Sequence, residues 1–245
     1  MADAVKKLKN EIRMRVWRLL EERGIARFPR PVYGRIPNFK GAEEAARRLA
    51  SAREFMRAEL IKVNPDSPQR PVRRLALRQG KMLLMATPRL RRGFILLDPS
   101  RIPVRLHEAA STIRGAFKLG RVLSTSAELR RLQEIDLMVT GCVAVSPRHG
   151  ERLGKGGGYA ELEYGILKEI GLLREDTPIA TTIHEAQLVD HIPFEPHDLS
   201  LDIIATPRRL IYVENPAPRP QGIYWKLLDR EKLESIPLLK ELYRR

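Results

Sequence analysis

The sequence predicts a Rossmann-like three-layer α/β sandwich with a mainly parallel sheet. Short apolar runs alternate with helical patterns of about 10 to 15 residues, the signature of right-handed crossovers between parallel strands. A glycine-rich stretch, "HGERLGKGGGYAELEYG" from His149 to Gly165, stands between an apolar run and a helical pattern, where open α/β sheets collect ligands. Near the end, "LDIIATPRRLIYVE" has strand, turn and strand with no room for a helix, which predicts a hairpin or antiparallel edge near the C-terminus.

Val5, Leu8, Ile12, Val16 and Leu19 recur at three- and four-residue steps, predicting an amphipathic helix over residues 4 to 23 that Gly24 stops. Pro29, Pro31 and Pro37, with Gly34 and Gly41, then prevent regular structure, giving an irregular arm over 27–40 before "AEEAARRLA" resumes a helical pattern. This N-terminal helix and proline-containing arm, residues 1–58, belong to a single α/β domain spanning 1–245. Beyond them "ELIKVN", "KMLLMAT", "GFILLD", "IDLMVTGCVAVS", "PIATTI", "QLVD", "LDIIAT" and "LIYV" read as strands. Helices are expected around "RPVRRLALRQG", from about Val104, and after the glycines, where Leu162, Ile166 and Ile170 mark an apolar face.

With 245 residues, 43% of them apolar, the chain can bury a substantial core. Its single cysteine, Cys142, offers no internal disulfide and no zinc site, so it reads as a packing residue in a reduced, intracellular protein. No run approaches the roughly 18 apolar residues of a membrane span, and a soluble, cytoplasmic protein is expected, with a monomer as its assembly state. A net charge of +15 favours anionic partners: nucleotides, polyanionic cofactors or nucleic acid. It also fits the ion-paired surface of a heat-adapted protein. Only 6% of residues are aromatic and no RNP-type run is present, so specific RNA recognition is not indicated, whereas non-specific RNA binding by charge is.

The glycines have a physical purpose in such a place. They let the backbone approach an anion closely and adopt positive φ, and the following helix N-terminus offers free N–H groups. Arg152 and Lys155 add countercharge. Neither standard phosphate fingerprint fits: Gly150 and Gly154 are too close for a Walker A loop, and Gly156 stands where that loop needs Ser or Thr. A flexible surface turn is the bland alternative.

"GERLGKGGGYAE" resembles the G-x-R-L-G-x-G-x-G-Y-Y-D loop of the 5-formyltetrahydrofolate cyclo-ligases, also called methenyltetrahydrofolate synthetases. "KNEIR" is similar to the family's Lys-x-x-Leu-Arg helix, "LALRQGKMLLMATPRL" to its helix-Gly-Lys-strand-Pro-Arg unit, and "HDLSLDIIATP" to its closing Asp-strand-Thr segment. The arm "ARFPRPVYGRIPNFKGAEEAARRLA" looks closer to one branch, the methenyltetrahydrofolate synthetase domain-containing proteins and their prokaryotic relatives. The resemblance covers most of residues 5 to 213.

It implies an ATP- and Mg²⁺-dependent ring closure of 5-formyltetrahydrofolate, or a related pterin, to 5,10-methenyltetrahydrofolate with release of ADP and phosphate. By position, Lys9 and Arg13 would contact ATP phosphates. Arg152, Gly154, Lys155, Gly156, Gly157, Gly158 and Tyr159 would wrap the nucleotide. Lys155 through Tyr159 would abut the folate, Arg152 and Lys155 would carry the catalysis, and Glu161 and Asp202 would be the metal-side carboxylates. Each has a bland counterpart: Lys9 and Arg13 as a solvated helix face, Glu161 as a helix-dipole partner, Asp202 as a hairpin end. His184, His191 and His197 lack any spacing that compels a metal site.

The sequence also departs from the family. Tyr159-Ala160-Glu161 replaces Tyr-Tyr-Asp, losing one ring and lengthening the carboxylate. Ser67-Pro68-Gln69 replaces a Glu-Thr pair, so a folate carboxylate partner is missing or supplied elsewhere. An intact nucleotide half beside an altered pterin half leaves a second expectation: a non-catalytic nucleotide- or RNA-binding relative.

Overall fold

The computed structural model describes residues 2–243. Its sheet strands are β1 (Leu60–Val63), β2 (Met82–Ala86), β3 (Phe94–Leu97), β4 (Arg121–Leu123), β5 (Leu137–Val139), β6 (Ile179–Thr182), β7 (Ile203–Ala205) and β8 (Leu210–Tyr212). Their spatial order is β8-β7-β6-β5-β1-β2-β3-β4. Neighbours from β2 through β1, β5 and β6 to β7 pair in parallel. β8 joins β7, β3 joins β2 and β4 joins β3 as antiparallel pairs. The C-terminal hairpin expected from "LDIIATPRRLIYVE" is β7–β8, and the opposite edge carries a second antiparallel extension.

Strand alternation builds the layers. Leu60 faces one core and Ile61 and Val63 the other. Helices α1 (Ala2–Glu22), α2 (Ala42–Ala50), α3 (Arg70–Arg78), α4 (Ile113–Leu119), α5 (Tyr159–Ile170) and α6 (Pro237–Tyr243) surround the sheet. α2, α3 and α4 cover one face through Leu49, Val72, Leu77 and Ala116. α5 and α6 cover the other through Ile166, Ile170, Leu238 and Leu242. With both faces covered, β1 is buried at every position, and each fully buried Leu or Ile contributes about 1.5–3 kcal/mol.

A separate apolar cluster seats α1. Val16, Trp17 and Leu20 pack with Val32 and Ile36 of the arm against Ala144 and Leu153. The helix therefore turns inward a face one step round from the one its sequence advertises: Leu8 is 49% exposed, while Lys9 is buried. The arm is irregular through most of its length, but its ends pair, Ala26 with Phe39 and Arg27 with Asn38.

Some predicted elements are cut shorter. "IDLMVTGCVAVS" is not one strand: β5 ends at Val139, and Ala144–Val145 forms a separate antiparallel ribbon with Arg152–Leu153. The break falls at Gly141, where a Cβ would lie 2.7 Å from both Gln69 Oε1 and Ile36 Cγ2. "QLVD" is no strand, because Gln187 ends a 3₁₀ turn and its amide nitrogen donates to the Cys142 and Val143 carbonyls at 3.0 and 3.2 Å. The helix from Val104 is interrupted before Ile113, where Thr112 caps α4 by accepting from Gly115 N. Among the described residues, no helix is long and apolar enough to cross a membrane.

Candidate active site

The glycine loop joins Arg152–Leu153 to α5. Gly156 has φ +98° and Gly158 +68°, left-handed values that side chains disfavour. Gly158 is also the N-cap of α5 and supplies no side-chain cap, leaving first-turn N–H groups for an anion. Gly154 serves contact: a Cβ there would lie 3.0 Å from the Arg152 guanidinium.

Arg152 is buried, and its role is fixed by its partners. Nε and Nη2 donate to the Gly141 carbonyl at 3.0 and 2.7 Å, and Nη1 donates to Glu161 Oε1 at 2.6 Å. One guanidinium thus ties the turn after β5 to the first turn of α5, beneath the loop. From α1, Arg13 Nε donates to the Gly154 carbonyl at 2.8 Å. Burial pulls the Arg13 pKa below its ordinary value, opposed by the nearby Asp198 and Glu161 charges.

Two cavities open on either side of this loop. One, of about 560 Å³, is lined by Lys6, Lys9 and Arg13 of α1, by Glu195, His197 and Asp198, and by Lys232. The other, of about 700 Å³, is lined by Arg35 and Ile36 of the arm, Asn64 and Asp66 after β1, and Thr87 to Arg89 after β2. Arg152, Gly154, Gly156, Gly157, Gly158 and Glu161 border both. The loop is a partition with a ligand-sized space on each side.

The predicted site residues divide between these spaces. Lys9 and Arg13 do not form a solvated face; both turn inward. Lys9 Nζ is held by Glu195 Oε2 at 2.7 Å and Asp198 Oδ2 at 2.5 Å, and its hydrogen bond holds the Glu195 carboxyl below the ordinary range. Lys155 borders only the arm-side cavity; it is 42% exposed and reaches Asp66 Oδ1 at 3.4 Å, a loosely held cation. Tyr159 also lies on that side, with Lys232 Nζ 5.9 Å from its ring centroid. Ala160 is buried in the core under α5 and touches the same cavity.

Asp202 is not brought to the site, which corrects its pairing with Glu161 as a metal ligand. It precedes β7, at the strand's N-terminal end, whereas the loop residues lie beyond the C-terminal ends. Its carboxylate accepts from Ile179 N at 2.7 Å and is ion-paired with Arg219. It buttresses the sheet edge and borders neither cavity.

The histidines separate in the same way. His184 caps a 3₁₀ turn by accepting from Ala186 N at 3.1 Å, and burial lowers its pKa. His197, by contrast, stands with Glu195 and Asp198 so that one ligand atom from each lies within 4.8 Å of the others. The Lys9 ammonium is already ion-paired with both carboxylates.

Several site residues carry no sequence motif. Asp66 places a carboxylate beside the arm-side cavity, next to the altered Ser67-Pro68-Gln69. Its loop is clamped by the buried Arg73, which donates to the Ser111 carbonyl at 2.8 Å, the Asp66 carbonyl at 3.0 Å and the Asn64 carbonyl; burial pushes the Arg73 pKa down to about 9. Arg89 and Leu90 are consecutive non-glycines at φ +54° and +56°, a strain of about 1–3 kcal/mol each. Thr87 braces that turn, donating to the Gly93 carbonyl at 2.9 Å and accepting from Arg92 N at 3.0 Å. Beneath the cavity, Lys62 and Glu163 form a buried ion pair, with Asn64 Oδ1 accepting from Lys62 at 2.6 Å. Burial lowers the Lys62 pKa and raises that of Glu163.

Comparison with known proteins bears on what this partitioned site belongs to. A model of the 5-formyltetrahydrofolate cyclo-ligase family matches residues 5–207. The methenyltetrahydrofolate synthase domain-containing proteins of Mus musculus and Danio rerio are 43% and 41% identical, over 97% and 95% of this chain. The chain spans 63% and 60% of the length of those relatives. The solved structure of Aquifex aeolicus 5,10-methenyltetrahydrofolate synthetase aligns with a TM-score of 0.52 at 16% identity, covering 89% of this chain and 99% of that one, a likeness of fold. The family match runs from α1 through the glycine loop to the end of β7, and the chain belongs to the 5-formyltetrahydrofolate cyclo-ligase family.

Proposed function

We propose that residues 1–245 act as one unit that closes the ring of 5-formyltetrahydrofolate, or a related pterin, to the 5,10-methenyl form using ATP and Mg²⁺. The observation that carries this reading is the glycine loop shared by two cavities. A phosphoryl donor in one cavity and a formyl oxygen in the other can be brought together at the loop residues that border both.

The nucleotide belongs on the side of Lys6, Lys9, Arg13 and Lys232, where the cations and the α5 N-terminus complement a triphosphate. The pterin belongs beside Asp66, whose carboxylate can accept from ring N–H donors in place of the partner lost at Ser67-Pro68-Gln69. The formyl oxygen attacks the γ-phosphate and ADP departs. The neighbouring nitrogen then attacks the formyl carbon and loses its proton, and the C–O bond breaks to release phosphate. Positioning and charge neutralisation carry most of such a transfer.

Arg152 is saturated by Gly141 and Glu161 and works by fixing the loop. Lys155, exposed and weakly held, can swing to the charge that develops on the transferring group. Glu161 keeps one carboxylate oxygen beyond its bond to Arg152, and a single carboxylate with phosphate and water oxygens suits Mg²⁺. Held there, the metal would supply neutralisation of phosphate charge.

The test is to incubate purified protein with 5-formyltetrahydrofolate, Mg²⁺ and ATP and follow the absorbance of the methenyl product. ATP-dependent product that Lys155→Ala abolishes is expected. Absence of product over long incubation sinks the reading.

A further inference from the structure

The family match ends at residue 207, yet much of the Lys9-side cavity wall comes from later in the chain. Pro220, Ile223, Tyr224, Leu227, Leu228 and Lys232 all line it. This segment is a strap fixed at both ends. Upstream, Ile223 N donates to Glu169 Oε1 at 3.2 Å, and Gly222 lies so close to α5 that a Cβ would meet Glu169 Oε1 at 2.9 Å. Downstream, Ile236, Leu238 and Leu239 are buried in the main core, and Glu241 accepts from Ser126 N and Oγ at 2.9 and 2.5 Å.

Between its anchors the strap shows an exposed apolar surface and a lysine, Lys232, that Asp229 Oδ2 holds at 2.9 Å beside the glycine loop. Tyr224 is 39% and Leu227 61% exposed although both border a cavity. Tyr224 packs edge-on against His197, with ring centroids 6.1 Å apart, which holds it at the rim. Lys232 projects the other way: its Nζ lies 4.0 Å from where a Gly158 Cβ would stand, at the N-terminus of α5. Cation at the glycine loop, apolar surface further along: that order matches a nucleotide, whose phosphates are anionic and whose base is flat and weakly polar.

We propose that the strap is a nucleobase subsite, in which Tyr224, Leu227 and Leu228 take the heteroaromatic base of a nucleoside triphosphate and Lys232 takes its phosphate end. It rests on the reading above that this cavity binds the nucleotide, and adds that nucleotide affinity is set by a segment outside the family match.

Equilibrium binding of ATP and of inorganic tripolyphosphate, each with Mg²⁺, tests it on the full chain. Tyr224→Ala and Leu227→Ser alter exposed side chains, so the fold is retained; unchanged circular dichroism verifies this. Both are expected to weaken ATP by about tenfold or more while leaving tripolyphosphate unchanged. Lys232→Ala should weaken both ligands alike. The subsite is overturned if Tyr224→Ala and Leu227→Ser bind ATP like the parent, or lose ATP and tripolyphosphate equally. If the parent protein binds neither ligand, the nucleotide reading of the cavity itself fails; if it binds tripolyphosphate but not ATP preferentially, only the base subsite fails.

Discussion

Arg13 donates to the carbonyl of Gly154, 141 residues later in the chain, at 2.8 Å. This bond fastens the first helix to the partition between the two cavities. Replacing Arg13 by Lys keeps the charge but loses the planar donor that makes it. ATP affinity is expected to fall by about tenfold or more, a loss of about 1.4 kcal/mol, with helical content unchanged by circular dichroism. Unaltered affinity in Arg13→Lys would show that the charge alone matters.

The loop glycines have a matched control. Gly158 and Gly171 bound α5 at φ +68° and +85°, so Ala at either position costs about 1–2 kcal/mol of backbone strain. Gly158→Ala and Gly171→Ala should lower the Tm comparably. Only Gly158→Ala should also weaken tripolyphosphate binding, because Gly171 lies at the far end of the helix. Equal binding by the two variants would remove Gly158 from the site.

Lys62 and Glu163 give a stability prediction. Lys62→Met strands a buried carboxylate and is expected to cost about 3–5 kcal/mol, whereas the double change Lys62→Met, Glu163→Leu should recover most of it. Urea titrations of the three proteins check this; a double variant no more stable than Lys62→Met contradicts it.

These predictions fall on residues that the sequence reveals unequally. The glycine loop, α5 and the mainly parallel sheet were legible because each rests on local chemistry: positive-φ glycines, a 3.6-residue apolar stripe, alternating strand and helix. The inward face of α1 was not. Leu8 and Leu19 compete with Trp17 and Leu20 for the apolar stripe, and only packing against Ala144 and Leu153 decides in favour of the face that also carries Lys9 and Arg13. Nothing in "ELIKVN" marks Lys62 as a buried charge; its partner Glu163 comes from α5, about a hundred residues later. Asp202 matches the family by position, but its proximity to Arg219 and Ile179 N is a tertiary fact. The strap has no periodicity at all, and its role emerges only from where its anchors hold it.

Asp202 and Glu161 can therefore be told apart. Asp202→Asn is expected to lower stability by about 1–3 kcal/mol through its Arg219 pair and backbone bond while leaving Mg²⁺-dependent ATP binding intact. Glu161→Gln should raise the Mg²⁺ concentration needed for that binding. The reverse pattern would restore Asp202 as the metal-side residue.

Acid should loosen the Lys9 cluster. Glu195 is held below its ordinary pKa of 4.5, chiefly by the Lys9 hydrogen bond. Its ionisation adds stability that is complete above that value and is lost as pH falls through the lower, folded one. The stability difference between the parent and Lys9→Met should accordingly shrink below about pH 4.5. A difference that stays constant through this range in thermal melts would contradict the pairing.

The meeting of two ligands across the glycine loop is tested most directly by measuring ADP release and methenyl absorbance together, with and without 5-formyltetrahydrofolate. One ADP per methenyl product, and no ADP without the formyl substrate, is the predicted result. ADP release indifferent to 5-formyltetrahydrofolate, or an absence of methenyl product, would contradict it.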